Sequence, residues 1–191
     1  VPLLDLVVVS IAADIVPIID ENRVLSFYGL QQLNASPRIG LKALMDVANR
    51  KDTFTISDVV FGLAPRINAA GRIEHGNKAV ELLIQQDFSI AKEKADYIDN
   101  HNFSRKELDK SITQEALAMI VPDTNSTVVC SDKWHKGVVG IVASRLIETH
   151  YRPTIVLTES NGKLAGSARS VSGFDVYNAI DACSDLLEQF G

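Results

Sequence analysis

The stretch DFSIAKEKADYIDNHNFSRKELDKSITQEALAMIV (87–121) decides how this chain is divided, because it lies in its longest run free of proline and glycine. Its apolar residues fall at Phe88, Ala91, Ala95 and Ile98, and again at Leu108, Ile112, Ala116 and Met119. Both sets keep the three-and-four spacing of one helical face, while His101 to Glu107 is polar apart from Phe103. The spacing predicts a helix spanning roughly 50 Å at 1.5 Å per residue, each end packed on a different module and the centre solvated. A cleft beside that helix is where function is expected. Ser104 followed by Glu107 also makes a capping-box pattern, which leaves open a second helix starting there.

The fold class that follows is α/β overall, in three parts. Residues 1–86 read as an all-helical remnant, 87–121 as the connecting helix, and 122–191 as a partial α/β domain with a small mixed sheet. A chain of 191 residues can form one large or two small domains, each with its own core. With 46% hydrophobic and 23% charged residues it has the composition of a soluble globular protein. Cys130 and Cys183 are far apart and show no paired or metal-ligand spacing, which points to a reducing, cytoplasmic compartment.

The net charge of −5 excludes a surface coated in basic residues for nucleic acid, but it hides a gradient. Lys133, Lys136, Arg145, Arg152, Lys163 and Arg169 face only four acids within 121–172, and everything charged after that is acidic. Any polyanion site is therefore local. The apolar start, Val1 to Ile19, is interrupted by Asp5 and Asp14 and has no basic leader, so neither a membrane span nor a signal peptide fits. It reads as a core helix of a larger protein, one that would cover an apolar face left open here.

Asp5 is placed to cap a helix over Leu6–Ala13, which Asp14 closes and Pro17 forbids from continuing. A carboxylate at a helix C-terminus opposes the macrodipole by roughly 0.3–1 kcal/mol, so something positive is expected beside Asp14. An ion pair with a base such as Arg23 and a hard divalent cation both satisfy that demand. Asn22–Leu33 and Gly40–Val47 read as short amphipathic helices. Ser57 can cap a helix through Leu63 that Pro65 interrupts, and then comes Pro-Arg-Ile-Asn-Ala-Ala-Gly-Arg (65–72). Ala69, Ala70 and Gly71 admit close approach by a backbone or ligand, and the arginine forks suit phosphate or carboxylate; packing with surface ion pairs explains the motif equally well. His75 reads as a surface turn residue rather than a ligand.

After residue 121 the period changes. Ser126–Cys130, a helix over Val138–Thr149 and Pro153–Leu157 form a strand, helix, strand crossover, and Asn161-Gly162 signals a hairpin into a third, antiparallel strand. Lys133, His135 and Lys136 lie in the loop feeding the helix N-terminus, a place that favours anions. Trp134 as a packing anchor, with Gly137 and Gly140 permitting helix–sheet contact, is the alternative there. Ser167, Arg169 and Ser170 end the third strand as hydroxyls around one arginine, suited to a phosphate backbone or simply to a polar strand end. Val176–Phe190 reads as a final amphipathic helix.

Together, Leu-Asp-Leu (4–6) with Ala-Asp-Ile-Val-Pro (13–17), the 65–72 motif, and Trp-His-Lys-Gly-Val-Val-Gly-Ile-Val-Ala-Ser-Arg (134–145) resemble the RecJ family of bacterial single-stranded-DNA-specific exonucleases, in the DHH phosphoesterase superfamily. The resemblance covers nearly the whole chain. It implies a DHH catalytic domain holding Mn²⁺ or Mg²⁺, a connecting helix, and a DHH-associated domain that helps hold single-stranded DNA. It makes Asp14 a metal ligand, and matches Arg66, Asn68, Arg72, Ser167, Arg169 and Ser170 to motifs near the DNA. The implied reaction is 5′-to-3′ phosphodiester hydrolysis in DNA repair and recombination, by metal-activated water. Ser10-Ile11-Ala12 and Ala168 depart from the family pattern, and no Asp-His-His is present, so the chain alone is expected to be inactive. A non-catalytic nucleic-acid-binding or interaction module, and a phosphodiesterase for short oligonucleotides, are the rival readings.

Overall fold

A computed structural model describes residues 2–49, 53–73 and 76–191. They form two compact units, Val1–Arg105 and Lys106–Gly191. The division falls within the long helix.

The first unit is built from helices α1 (Leu4–Ala13), α2 (Asp20–Ala35), α3 (Ile39–Val47), α4 (Ile56–Asp58), α5 (Ala64–Ile73), α6 (Asn77–Leu83) and the first part of α7 (Phe88–Ala118). Its core gathers Val8, Leu33, Leu41, Leu44, Leu63 and Leu82, all fully buried. Helices α1 and α2 touch at Gly29, where a Cβ would lie 2.6 Å from the Leu4 carbonyl oxygen. Asp5 stands in the first turn of α1 and not at its cap, which is Leu3. Tertiary contacts claim its carboxylate instead. It is 1% exposed and accepts from Arg38 Nε at 3.0 Å, Arg38 Nη2 at 2.8 Å and the Arg38 backbone N–H at 3.1 Å, binding the start of α1 to the N-cap of α3.

Proline 65 does not interrupt its helix as the sequence suggests. Thr55, not Ser57, caps α4, in a reciprocal capping box with Asp58, and the chain then widens into a π turn over Val59–Leu63 before continuing as α5. Proline lacks a donor and its ring presses on the preceding turn; the wider turn accommodates both. Phe61 projects from it, 80% exposed. Ile15, Ile18, Ile19, Val24, Phe27 and Tyr28 of this unit are exposed.

Helix α7 is one element of 31 residues, so Ser104 starts no second helix. Its buried face reads Ala91, Ala95, Ile98, Asn102, Asp109, Ile112 and Ala116. The three-and-four spacing therefore runs through the middle on polar residues, and the centre is not wholly solvated. Asn102 accepts from Arg105 and Asp109 from Arg145, which is how each tolerates burial. Phe88, Leu108 and Met119, expected on the apolar face, are exposed.

The second unit holds a three-stranded mixed sheet, ordered β1 (Thr127–Cys130), β2 (Thr154–Ser160), β3 (Lys163–Arg169). Strands β1 and β2 are parallel, with Val129 opposite Val156, and β3 is antiparallel to β2, with Val156 opposite Ser167. Asn161 and Gly162 turn the hairpin at φ +55° and +75°, as that dipeptide predicts. Helix α8 (Lys136–Thr149) packs on β2 and β3 through Val138, Val142 and Leu146. Trp134 is an anchor: it is buried, donates Nε1–H to Glu115 at 3.0 Å, and its carbonyl accepts from Thr158 at 2.6 Å. The last helix, α9, covers only Val176–Asp181, and a 3-10 turn follows at Ser184–Leu186. The expected helix through Phe190 stops short: none of the α9 residues is buried, and the Tyr177 ring meets Phe190 at 5.5 Å between centroids across the following turn instead of within a core.

Candidate functional site

Asp14 ends α1 and is exposed. The backbone around it closes a complete Schellman motif: Ile15 N–H bonds to Ala12 O at 3.3 Å and Val16 N–H to Ile11 O at 3.0 Å. That motif needs a left-handed residue, usually glycine, and here Ile15 adopts it at φ +52°. A β-branched side chain in that region costs on the order of 1–3 kcal/mol, and such strain concentrates where the chain must present a particular group. The exposed Asp14 carboxylate stands beside that residue. Among the described residues no base pairs with it, Arg23 included, and no set of three or more His, Cys, Asp or Glu side chains gathers into a metal cage. One carboxylate fits a hard cation as a single ligand but does not make a site, so no reaction step follows from these residues alone.

The 65–72 motif divides into an inner and an outer face. Ala69 and Ala70 are buried, so their smallness serves helix packing and not ligand approach. Asn68, Gly71 and Arg72 are exposed, and nothing lies within 4 Å of where a Gly71 Cβ would stand. Arg66 turns inward. Its Nη1 donates to Gly62 O in the π turn at 2.7 Å, Nη2 reaches Val47 O at 3.5 Å, and Nε lies 2.8 Å from Asp99 Oδ1 as an ion pair that is not aligned as a hydrogen bond. His75 lies outside the described residues.

In the second unit the sequence-predicted residues come close together on one helix and one strand. His135 is the N-cap of α8: its Nδ1 accepts from the Gly137 N–H at 3.1 Å, which leaves Nε2 as the proton-bearing nitrogen, and Lys136 is exposed beside it. One turn further along α8, Gly140 faces the end of β3. A Cβ there would stand 3.2 Å from both Arg169 Nη2 and Ser167 Oγ. Arg169 is held by Ser144 Oγ on its Nε at 3.0 Å, and by Ser167 Oγ and Ala168 O on its Nη1, both at 2.8 Å. Every one of these acceptors is neutral. Ser170 is engaged differently, donating to Phe174 O and accepting from the Val176 N–H at 3.2 Å, so that it closes the loop into α9.

Ser144 lies in the 134–145 motif but does not stand out there as a site residue, since a serine inside a helix usually bonds its own backbone or water. Asp109 was hidden the same way. It is buried and holds Arg145 through Nε and Nη2, both at 2.8 Å, which raises the arginine's pKa above its ordinary value, chiefly through that hydrogen bond and its Coulombic partner.

Residues 116–191 match the DHHA1 domain family. The single-stranded-DNA-specific exonuclease RecJ of Bacillus subtilis is 42% identical over 195 residues, covering 99% of this chain and 25% of that protein. RecJ of Haemophilus influenzae is 38% identical, over 94% of this chain and 33% of its own length. Among solved structures, RecJ of Thermus thermophilus in complex with Mg²⁺ superposes with a TM-score of 0.90 at 32% identity, covering 98% of this chain and 30% of that one. An exonuclease RecJ bound to manganese matches with a TM-score of 0.86 at 31% identity, over 98% of this chain and 47% of the other. The chain thus spans about a quarter to a third of the curated relatives it matches. It is similar to the DHHA1 family over residues 116–191 and to RecJ over nearly its whole length, which agrees with the mostly helical first unit and the small mixed sheet of the second.

Proposed function

We propose that this chain is part of a metal-dependent, single-stranded-DNA-specific exonuclease that hydrolyses phosphodiester bonds from the 5′ end in DNA repair and recombination, in the cytoplasm. The observation that carries this reading is Arg169: a fixed guanidinium, bonded among the described residues to neutral oxygens beside α8 and with Nη2 unspent, presents a positive charge suited to a phosphate. Ser167 on the same strand, and His135 and Lys136 at the helix start, extend that anion-favouring surface. In the first unit the exposed Asn68 and Arg72 take the phosphate contacts, and Arg66 braces the helix that carries them. Ser170 supports the strand end through its loop.

Asp14 supplies one carboxylate to a Mn²⁺ or Mg²⁺ site whose other ligands belong to the parent protein. When bound, such ions activate water and neutralise charge on the phosphate. Among the described residues no helix is long and apolar enough to cross a membrane.

The test is a salt titration of the intact parent protein without metal, on two unrelated single-stranded oligonucleotides. Arg169→Ala is expected to weaken both equally and to lower the log–log salt slope by roughly 0.7, the loss of one phosphate contact. Asp14→Asn is expected to abolish metal-dependent hydrolysis while leaving metal-free binding intact. An unchanged slope in the first case, or near-normal hydrolysis in the second, overturns the corresponding assignment.

A further inference from the structure

We propose that Ser144 and Gly140 are positioning residues that aim Arg169 at a phosphate, an inference that rests on the DNA-binding reading above. A guanidinium has five N–H donors in a rigid fork. Here Nε and both hydrogens of Nη1 are taken, by Ser144, Ser167 and Ala168, so the Nη2 pair is left without an acceptor among the described residues. Three bonds on two nitrogens fix the plane of the group, and the free edge is defined by subtraction.

Ser144 does more than accept. Its own hydroxyl hydrogen is committed to Gly140 O at 3.1 Å, one turn back in α8, so its lone pairs turn towards Arg169 Nε. Gly140 acts by lacking a side chain. Helix α8 passes so near that a methyl group there would stand 3.2 Å from Nη2 and from Ser167 Oγ, tighter than ordinary contact, so the guanidinium and the hydroxyl would have to shift by a few tenths of an ångström. Arg38, Arg66 and Arg145 each pair with a carboxylate, whereas among the described residues Arg169, like Arg152, is held by neutral oxygens; Arg152 spends Nε, Nη1 and Nη2 on Thr127, Thr124 and Val121, while Arg169 keeps Nη2 free.

The experiment is a double-mutant cycle in the intact parent protein, read as metal-free affinity for oligothymidylate and for a mixed-sequence single strand. Ser144→Ala is expected to weaken binding about three- to ten-fold, the worth of one neutral hydrogen bond in orienting the group. It should have no further effect in an Arg169→Ala background, and Ser144→Thr, which keeps the hydroxyl, should restore affinity. Gly140→Ala should behave like Ser144→Ala; alanine favours a helix, so both variants retain α8. Equal weakening by Ser144→Ala with and without Arg169, or no weakening while Arg169→Ala weakens, overturns the positioning role and leaves the DNA reading standing. If Arg169→Ala itself changes nothing, the DNA reading fails and the positioning role falls with it.

Discussion

Arg66 in the helical unit and Arg169 in the α/β unit both sit part-buried in motifs of small residues, yet their surroundings differ in charge. Arg66 spends its fork on a π-turn carbonyl and on Asp99, so its charge is matched inside the protein. Arg169 is held by two serine hydroxyls and a carbonyl, and among the described residues no carboxylate pairs with it. The difference teaches that a hydrogen-bonded arginine is not thereby a structural one. Arg152 braces the strand start through three neutral oxygens that use Nε, Nη1 and Nη2, so what sets Arg169 apart is its unspent Nη2.

The comparison breaks most sharply at Asp5, the most deeply buried of the carboxylates paired with arginine. Asp5→Ala strips Arg38 of its partner and leaves the α3 cap N–H unsatisfied, and is expected to cost about 3–5 kcal/mol of unfolding free energy in denaturant titration. A loss under about 1 kcal/mol would show that carboxylate-paired arginines here are not structural. Arg66→Ala is a milder test, because Asp99 is more than a third exposed on its side chain and water screens that pair. It should lower stability by about 1–2 kcal/mol, chiefly through the π-turn contact, and leave the salt slope of DNA binding unchanged. A fall in slope matching that of Arg169→Ala would return Arg66 to the DNA surface.

The smallest expected effect lies at Glu81, whose pKa is lowered by its hydrogen bond from Lys94 at 2.6 Å, then by the charges of Lys78 and Lys94. A carboxylate depressed in the folded state stabilises it above the unfolded pKa, and that contribution fades as pH falls through the folded value. An NMR titration should find Glu81 below its ordinary value, and Lys94→Ala should move it back up. No movement would remove Lys94 as the cause.

Much of the fold was legible because periodicity records burial. The spacing over 87–121 favours one helix and Asn161-Gly162 signals its hairpin, while the start of α8 and the end of β3 each read as suited to an anion, with packing and a polar strand end as the alternatives. The π turn was not legible, since Pro65 reads as a break unless the widening before it is seen. Burial of Asn102 and Asp109 was missed for a related reason: a polar residue reads as solvated until its partner, three positions on or on another helix, is located.

The sequence by itself determined where the helices and strands run, and which arginines lie in motifs of small and hydroxylic residues, because backbone preference and residue chemistry are local. Only the tertiary structure decided which arginine meets a carboxylate and which meets serines. Asp99, Asp109 and Ser144 are each 25 or more positions from the arginine they hold, and Asp5 is 33 from Arg38. Charge compensation at such separations is set by how elements pack, which local sequence does not encode.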